Sequence, residues 1–256
     1  MEVSFEKISY KDKLSNISFK LDNNYVNGIY NANNLLKIIK EPSLISSGHI
    51  FIDERIYRKY NSKLIAIIDS DKSFYTSKVL EEILFNAKIR EYKSHTIKQG
   101  IEELLLMVGL DESILRRIVP TLSTTEKYFV QIVANLIYKP KIVIFKDIMN
   151  GLDLNNKKII KKLINKLKND GVLVIVTSND SNILYELTER VAIINQNEVI
   201  LGNTNDIYQQ VEMLINKKID TPYFSLLTYK AKKEKNINLF YRKDVRDVMK
   251  DVYKSI

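Results

Sequence analysis

Two runs in this chain, Ile142–Phe145 (IVIF) and Val172–Val176 (VLVIV), are apolar at every position. A strand with one face in water alternates apolar and polar side chains. A strand without alternation must be covered on both faces, which is the condition of a parallel sheet flanked by helices. The sequence between the runs supplies such a helix: Leu154–Leu167 places Ile159, Ile160, Leu163, Ile164 and Leu167 on one face. Lys63–Ile68 (KLIAII) and Val191–Ile194 (VAII) repeat the strand signal, and Ser181–Thr188 the helical one. The expected class is therefore α/β. All of these runs are strand-sized, far short of a membrane span.

The flanking segments read differently. Glu2–Phe5, Asn16–Leu21 (NISFKL) with its alternation, Tyr25–Tyr30 and His49–Asp53 predict further strands, with a short helix over Leu35–Lys40 ended by Glu41-Pro42-Ser43. Val79 to about Arg117 is helical throughout, with Leu80, Ile83, Leu84 and Ala87, then Ile101, Leu104, Leu105 and Val108 at helical spacing. Thr121–Lys139 predicts an amphipathic helix opened by the capping-box pattern Ser123-Thr-Thr-Glu126. Two closing strands, Val191–Ile194 and Glu198–Leu201, precede a Lys-rich region beyond Pro222. The expected organisation is a core over 1–70 and 121–208, a helical subdomain over 71–120, and a basic extension over 209–256.

Composition narrows the chemistry. There are no cysteines, so disulfides and thiolate metal sites are excluded and a reducing compartment fits. The only histidines, His49 and His95, stand isolated, which argues against a histidine metal cluster or a Ser-His-Asp triad. No metal site is expected. The N-terminus is charged from its second residue and lacks the apolar segment of a signal peptide, so a cytoplasmic chain with at most peripheral membrane contact is expected. Of the net charge of +9, a surplus of +5 lies in Thr221–Ile256, with nine Lys/Arg against four Asp/Glu. Such a tail suits nucleic acid, an anionic membrane surface, or simply water.

One continuous stretch carries a resemblance. TLSTTEKYFVQIVANLIYKPKIVIFKDIMNGLD, Thr121 to Asp153, resembles the signature-to-D-loop segment of ABC-transporter ATP-binding subunits without a gap. Leu122, Ser123, Glu126, Pro140, the apolar strand, Gly151, Leu152 and Asp153 stand at the family's spacing. Lys13–Leu21 looks like the early strand pair, with Tyr10 where an aromatic would stack on adenine. Ser46–Ile50 resembles the turn and strand behind the phosphate-loop helix, Val176–Asp180 the switch loop, and Asn195–Gly202 the closing hairpin. The resemblance covers about Met1 to Tyr208. It implies the P-loop NTPase-like ABC ATPase fold: a mixed-sheet core, an N-terminal antiparallel β part and an inserted helical subdomain.

The resemblance also marks where the residues depart. The phosphate loop falls on Gly28–Ile39 (GIYNANNLLKII), with one glycine and no Gly-Lys-Ser/Thr. In one register Lys37 is the loop lysine, but Asn31, Asn34 and Leu36 replace its glycines and Ile38 its hydroxyl. The other register, which runs ungapped to Gly48, makes LLKII the helix after a loop shortened by about five residues, with Asn31, Asn33 and Asn34 in the stump. A phosphate loop works because glycines let successive N–H groups curl around phosphates while Lys and Ser/Thr hold terminal oxygens and Mg²⁺. Losing three or four charge-assisted bonds at about 1.5–3 kcal/mol each approaches the ~8 kcal/mol of a micromolar complex. Lys146 stands where the Mg²⁺-shell carboxylate belongs and Asp147 where the general base does. Asp69 or Ser70 takes the place of the Mg²⁺-sensing glutamine, and Asn179 that of the switch histidine. Thr124 and Thr125 replace the signature glycines, while Ser123 and Asp153 survive.

Alternatives stand open at several of these positions. Ser123 caps its helix or touches a partner's nucleotide. Lys146 pairs with Asp69 or Asp147, and Tyr10 is a core aromatic or an adenine platform. The family meets its permease near Ser73–Phe85, so Phe74, Tyr75, Leu80 and Phe85 are either contact residues or core. The function implied is that of a degenerate ATP-binding subunit, a structural or regulatory half of an ABC dimer with no nucleotide held tightly by this chain. Its partners would be a membrane permease and an active ATPase subunit or a second copy, with ATP/Mg on the partner. A non-transport role, including nucleic-acid binding through the basic tail, is the alternative, although no recognised nucleic-acid motif favours it. A third reading is a weak ATPase with a rebuilt loop.

Overall fold

A computed structural model of the chain describes residues 1–69, 73–90, 97–149, 151–195, 197–237, 239–242 and 245–255. Two sheets organise it. The first is antiparallel, in the order β2 (Leu14–Asp22), β1 (Glu2–Tyr10), β4 (Ser47–Ile52), β5 (Arg55–Ile56). The second has the order β10 (Glu198–Asn203), β9 (Arg190–Asn195), β3 (Asn27–Tyr30), β8 (Leu173–Ser178), β7 (Ile142–Lys146), β6 (Ile65–Asp69). It is parallel from β9 to β6, and β10 closes it antiparallel.

The apolar runs do what their lack of alternation demands. From β7 and β8, Val143, Phe145, Val174 and Val176 enter one core, and Ile142, Ile144, Leu173 and Ile175 enter the other. The second core fills the space between the sheets. There α1 (Asn33–Lys40) buries Leu35, Leu36, Ile38 and Ile39 against Phe5, Leu21 and Ile50 of the antiparallel sheet. Each fully buried aliphatic side chain of this kind contributes about 1.5–3 kcal/mol.

On the opposite face lie α2 (Val79–Ile89), α3 (Ile97–Met107), α4 (Thr124–Leu136), α5 (Leu154–Asn169) and α6 (Ser181–Leu187). The helical signal over 79–117 resolves into α2, α3 and a 3-10 segment at Glu112–Arg116. Four helices end the chain: α7 (Thr204–Gln209), α8 (Val211–Asn216), α9 (Tyr223–Lys235) and α10 (Val245–Ser255). Leu214 and Ile219 join the first core, so packing continues past residue 208. Among the described residues, no helix is long and apolar enough to cross a membrane.

The first strand extends to Tyr10, beyond the predicted Phe5, because the chain inserts a bulge. The β1–β4 and β1–β2 registers shift there, and Glu6 and Lys7 are both exposed, with Lys7 at φ +49°. Gly48 sits against that bulge: a Cβ would lie 2.3 Å from the carbonyl oxygens of Glu6 and Lys7. The SSGHI glycine is thus demanded by a close backbone approach.

Candidate functional site

In an open α/β sheet the carboxyl ends of parallel strands form the rim where ligands bind. Here the strand register brings Tyr30, Ser178, Asp69, Lys146 and Thr177 to that rim. The chain passes from β3 to α1 in two residues, Asn31 and Ala32. Asn31 lies in the left-handed region at φ +59°, which asparagine tolerates better than most residues. Its N–H donates to Asn179 Oδ1 at 3.2 Å, and its Nδ2 donates to Ile194 O at 3.1 Å. The first backbone donor after the strand is therefore satisfied by the Asn179 side chain. Asn33 and Asn34 form the first turn of α1, and Lys37 is exposed on its last turn, away from the rim. Gly28 has a packing role: an added Cβ would meet Thr188 Oγ1 at 2.9 Å and Cγ2 at 3.0 Å. That threonine is fixed, its hydroxyl donating to Leu184 O at 2.7 Å and lying 3.0 Å from Thr204 Oγ1.

The neighbouring strand ends carry Asp69, Lys146 and Asp147, the positions singled out in the sequence. Lys146 Nζ donates to Asp69 Oδ2 at 3.1 Å, joining two residues that are direct partners in the β6–β7 register. This is the Asp69 form of the pairing left open by the sequence. Their side chains are 24% and 18% exposed. Asp147 turns the chain at φ +50°, and its N–H donates to Thr177 O at 3.0 Å. Beneath them Tyr128 of α4 is buried with its hydroxyl unpaired. Burial, then the charges of Asp69 and Asp147, push its pKa well above the usual phenol value. Ser70 lies outside the described residues.

A cradle for a triphosphate and Mg²⁺ needs several N–H groups converging on one point and a carboxylate facing a metal shell. Among the described residues, the β3–α1 connection is two residues long and Lys146 places an ammonium beside Asp69 at this rim. Among the described residues no group of three or more His, Cys, Asp or Glu is placed to hold a metal ion.

The other half of the expected machinery is built differently. Ser123 is the N-cap of α4: its Oγ accepts from Glu126 N–H at 3.2 Å, and Glu126 Oε2 accepts from Ser123 N–H at 2.7 Å. Arg117 NH1 donates to the same carboxylate, and its NH2 donates to Thr121 O at 2.7 Å. The Ser123 N–H bond, followed by the hydroxyl and Arg117, holds the Glu126 pKa below the ordinary glutamate value. Ser123 and Thr124 remain exposed, with Thr125 half-buried. Asp153 caps α5 by accepting from Asn156 N–H at 2.8 Å, and Leu154 beside it is 77% exposed. Tyr10 is a core residue, 4% exposed, and presents no ring face to a ligand.

The α2 face gathers apolar side chains at the surface. Tyr75 and Phe85 have ring centroids 5.4 Å apart, and Leu80 and Leu84 are exposed beside them, while Phe74 packs against the core. A buried carboxylate fixes this face: Glu82 Oε2 accepts from Tyr75 N–H and Thr76 N–H, both at 2.9 Å, and Oε1 from Asn86 Nδ2 at 3.1 Å. Arg90 extends the network from Asn86 Oδ1 at 2.8 Å to Ser62 O at 3.1 Å.

Sequence reasoning missed three further residues at the rim. Asp220 Oδ2 accepts from Ser181 N–H and Ser181 Oγ, at 2.9 and 2.6 Å, and Asp220 N–H reaches Tyr30 Oη at 3.4 Å. The partners lie 39 and 190 residues away. No local pattern signals such pairs.

No family model matches the chain. Among curated relatives, it is 24% identical over 215 residues to methionine import ATP-binding protein MetN 1 of Staphylococcus epidermidis, covering 76% of this chain and 61% of that protein. It is 28% identical over 187 residues to energy-coupling factor transporter ATP-binding protein EcfA1 of Mycoplasma pneumoniae, covering 72% of this chain and 67% of that protein. Its fold matches the solved structure of cbiO1 from Clostridium perfringens, part of the ABC transporter complex cbiONQ. That match has a TM-score of 0.71 at 21% identity, covering 89% of this chain and 98% of that one. The ATP-binding cassette MJ0796, a dimer in a post-hydrolysis state bound to ADP and Pi, matches with a TM-score of 0.68 at 18% identity, covering 79% and 98%.

Proposed function

By sequence and by fold the chain is an ABC-transporter nucleotide-binding domain, and from that premise we propose that it is the non-catalytic member of an ABC assembly. In this reading it pairs with an ATPase subunit that carries an intact phosphate loop, and the pair sits peripherally beneath a membrane permease on the cytoplasmic side. The observation that carries the reading is the closed rim. The first N–H after β3 is bonded to Asn179 and the Mg²⁺-shell position is an ammonium paired with Asp69, so both ligand positions are filled from within. Ser123 and Asp153 are exposed as they cap α4 and α5, which supports a role in completing a partner's site, and the Tyr75–Leu80–Phe85 face supports the permease contact.

The test has two arms. Titration of the purified chain with fluorescent ATP and Mg²⁺ should show no saturation up to millimolar concentration, against micromolar binding by an intact family member. Micromolar Mg²⁺-dependent binding by this chain alone would overturn the reading. Purification of the tagged chain from its own membranes should bring down a permease and a second ATP-binding subunit; recovery of nucleic acid instead would favour a role for the basic tail.

A further inference from the structure

We infer that the C-terminal region is a clamp on the switch-position loop, so that displacement of the tail and opening of the rim are one coupled event. The bonds form a ring. Asn31 N–H donates to Asn179 Oδ1, Asp180 N–H to Ser178 Oγ at 3.0 Å, and Asn182 N–H to Asp180 Oδ1 at 2.8 Å. Two groups of the next turn then bind the tail. Ser181 donates twice to Asp220 Oδ2, and Tyr223 N–H donates to Asn182 Oδ1 at 2.8 Å. Asp220 N–H returns to Tyr30, the residue before Asn31, and closes the circuit.

Each side of the ring is anchored. Ile219 packs into the first core, and Ser225 and Thr228 of α9 are buried. Ser181 is fully buried, so losing Asp220 leaves a buried N–H and a buried hydroxyl without that carboxylate, a penalty larger than the bonds' net worth. The segment 179–182, the end of the loop and the first turn of α6, is thus gripped from two directions, by the β3–α1 turn and by the tail. Removing one grip lowers the cost of losing the other, which is the condition for coupled local opening.

Amide-resolved hydrogen exchange on the full chain tests it. Asp220→Ala should speed exchange at Ser181 by about tenfold, with a smaller acceleration, about threefold, transmitted to Asn31, which Asp220 does not bond. The reciprocal variant, Asn179→Ala, should accelerate Ser181 and Tyr223 while the β7 amides of Val143 and Ile144 stay unchanged. An Asn31 amide unaffected by Asp220→Ala, or Ser181 and Tyr223 amides unaffected by Asn179→Ala, would overturn the coupling. Should Asp220→Ala fail to fold, Asp220→Asn keeps an acceptor without the charge and must still accelerate Asn31.

Discussion

The start of α1 and the start of α4 face the same question with opposite outcomes. At α1 the sequence has no Gly-Lys-Ser/Thr and the first backbone donor after β3 is bonded inside the chain, by Asn179. At α4 the exposed Ser123 and the half-buried Glu126 form a reciprocal capping box. The difference lies in what each residue does without a ligand. A glycine-rich loop has no structural task once phosphate is gone, and its N–H groups must find other partners or water. Ser123 and Asp153 keep a task, because a helix needs its first N–H groups satisfied whatever else touches them. Gly28 belongs to the second kind, held by the approach of Thr188. A retained motif residue is therefore weak testimony to retained chemistry where it also caps or packs.

The sharpest way to break this contrast is at the Lys146–Asp69 pair. Lys146→Met removes an ammonium bonded to a carboxylate that is only 18% exposed, above the buried Tyr128. Breaking a fully buried pair costs 3–5 kcal/mol, and partial exposure reduces that to about 2 kcal/mol. Thermal melting should fall by roughly 4–8 °C. The double variant Lys146→Met/Asp69→Asn should recover part of the loss. Full additivity of the two single changes would mean that the pair contributes no coupling at the rim.

Next in size is Gly28→Ala. The new methyl would meet a threonine side chain fixed by two bonds, so overpacking should cost about 1–2 kcal/mol by denaturant titration. Thr188→Ser in the same chain removes the Cγ2 contact, keeps the hydroxyl, and should restore part of it. A neutral Gly28→Ala would show that packing against Thr188 does not demand that glycine.

Much of the fold was legible because burial on both faces of a strand writes itself into adjacent residues. IVIF and VLVIV became β7 and β8, and the periodicity of 154–167 became α5. The capping box was legible for the same reason, its partners standing three residues apart. The Lys146–Asp69 pair was one of two options, and it needed the β6–β7 register to be settled. The rest depended on contacts with no sequence period. Asn31 and Asn179 are 148 residues apart, and either asparagine alone reads as a turn former. The Asp220 contact lies in the basic extension over 209–256, where an aspartate shortly after Lys217 and Lys218 carries no pattern of its own. Helices α7 and α8 are each only six residues long, too short for periodicity to declare them.

The smallest predicted effect concerns the preserved side. The Glu126 pKa is depressed, first by the Ser123 N–H bond, so its contribution is complete above the ordinary glutamate value of 4.5 and is lost as pH falls through the lower folded value. Glu126→Gln should therefore leave the neutral-pH fold intact and flatten the acid side of the stability profile between 4.5 and the lower folded value. Ser123→Ala acts on the other half of the box and should cost about 1 kcal/mol at neutral pH, since a helix donor loses its acceptor. That cost should diminish little on acidification, because the serine hydroxyl does not titrate in this range. If Glu126→Gln leaves the acid slope unchanged, the box is held by the serine alone, and what survives at α4 is a simple cap with the glutamate as a solvated neighbour.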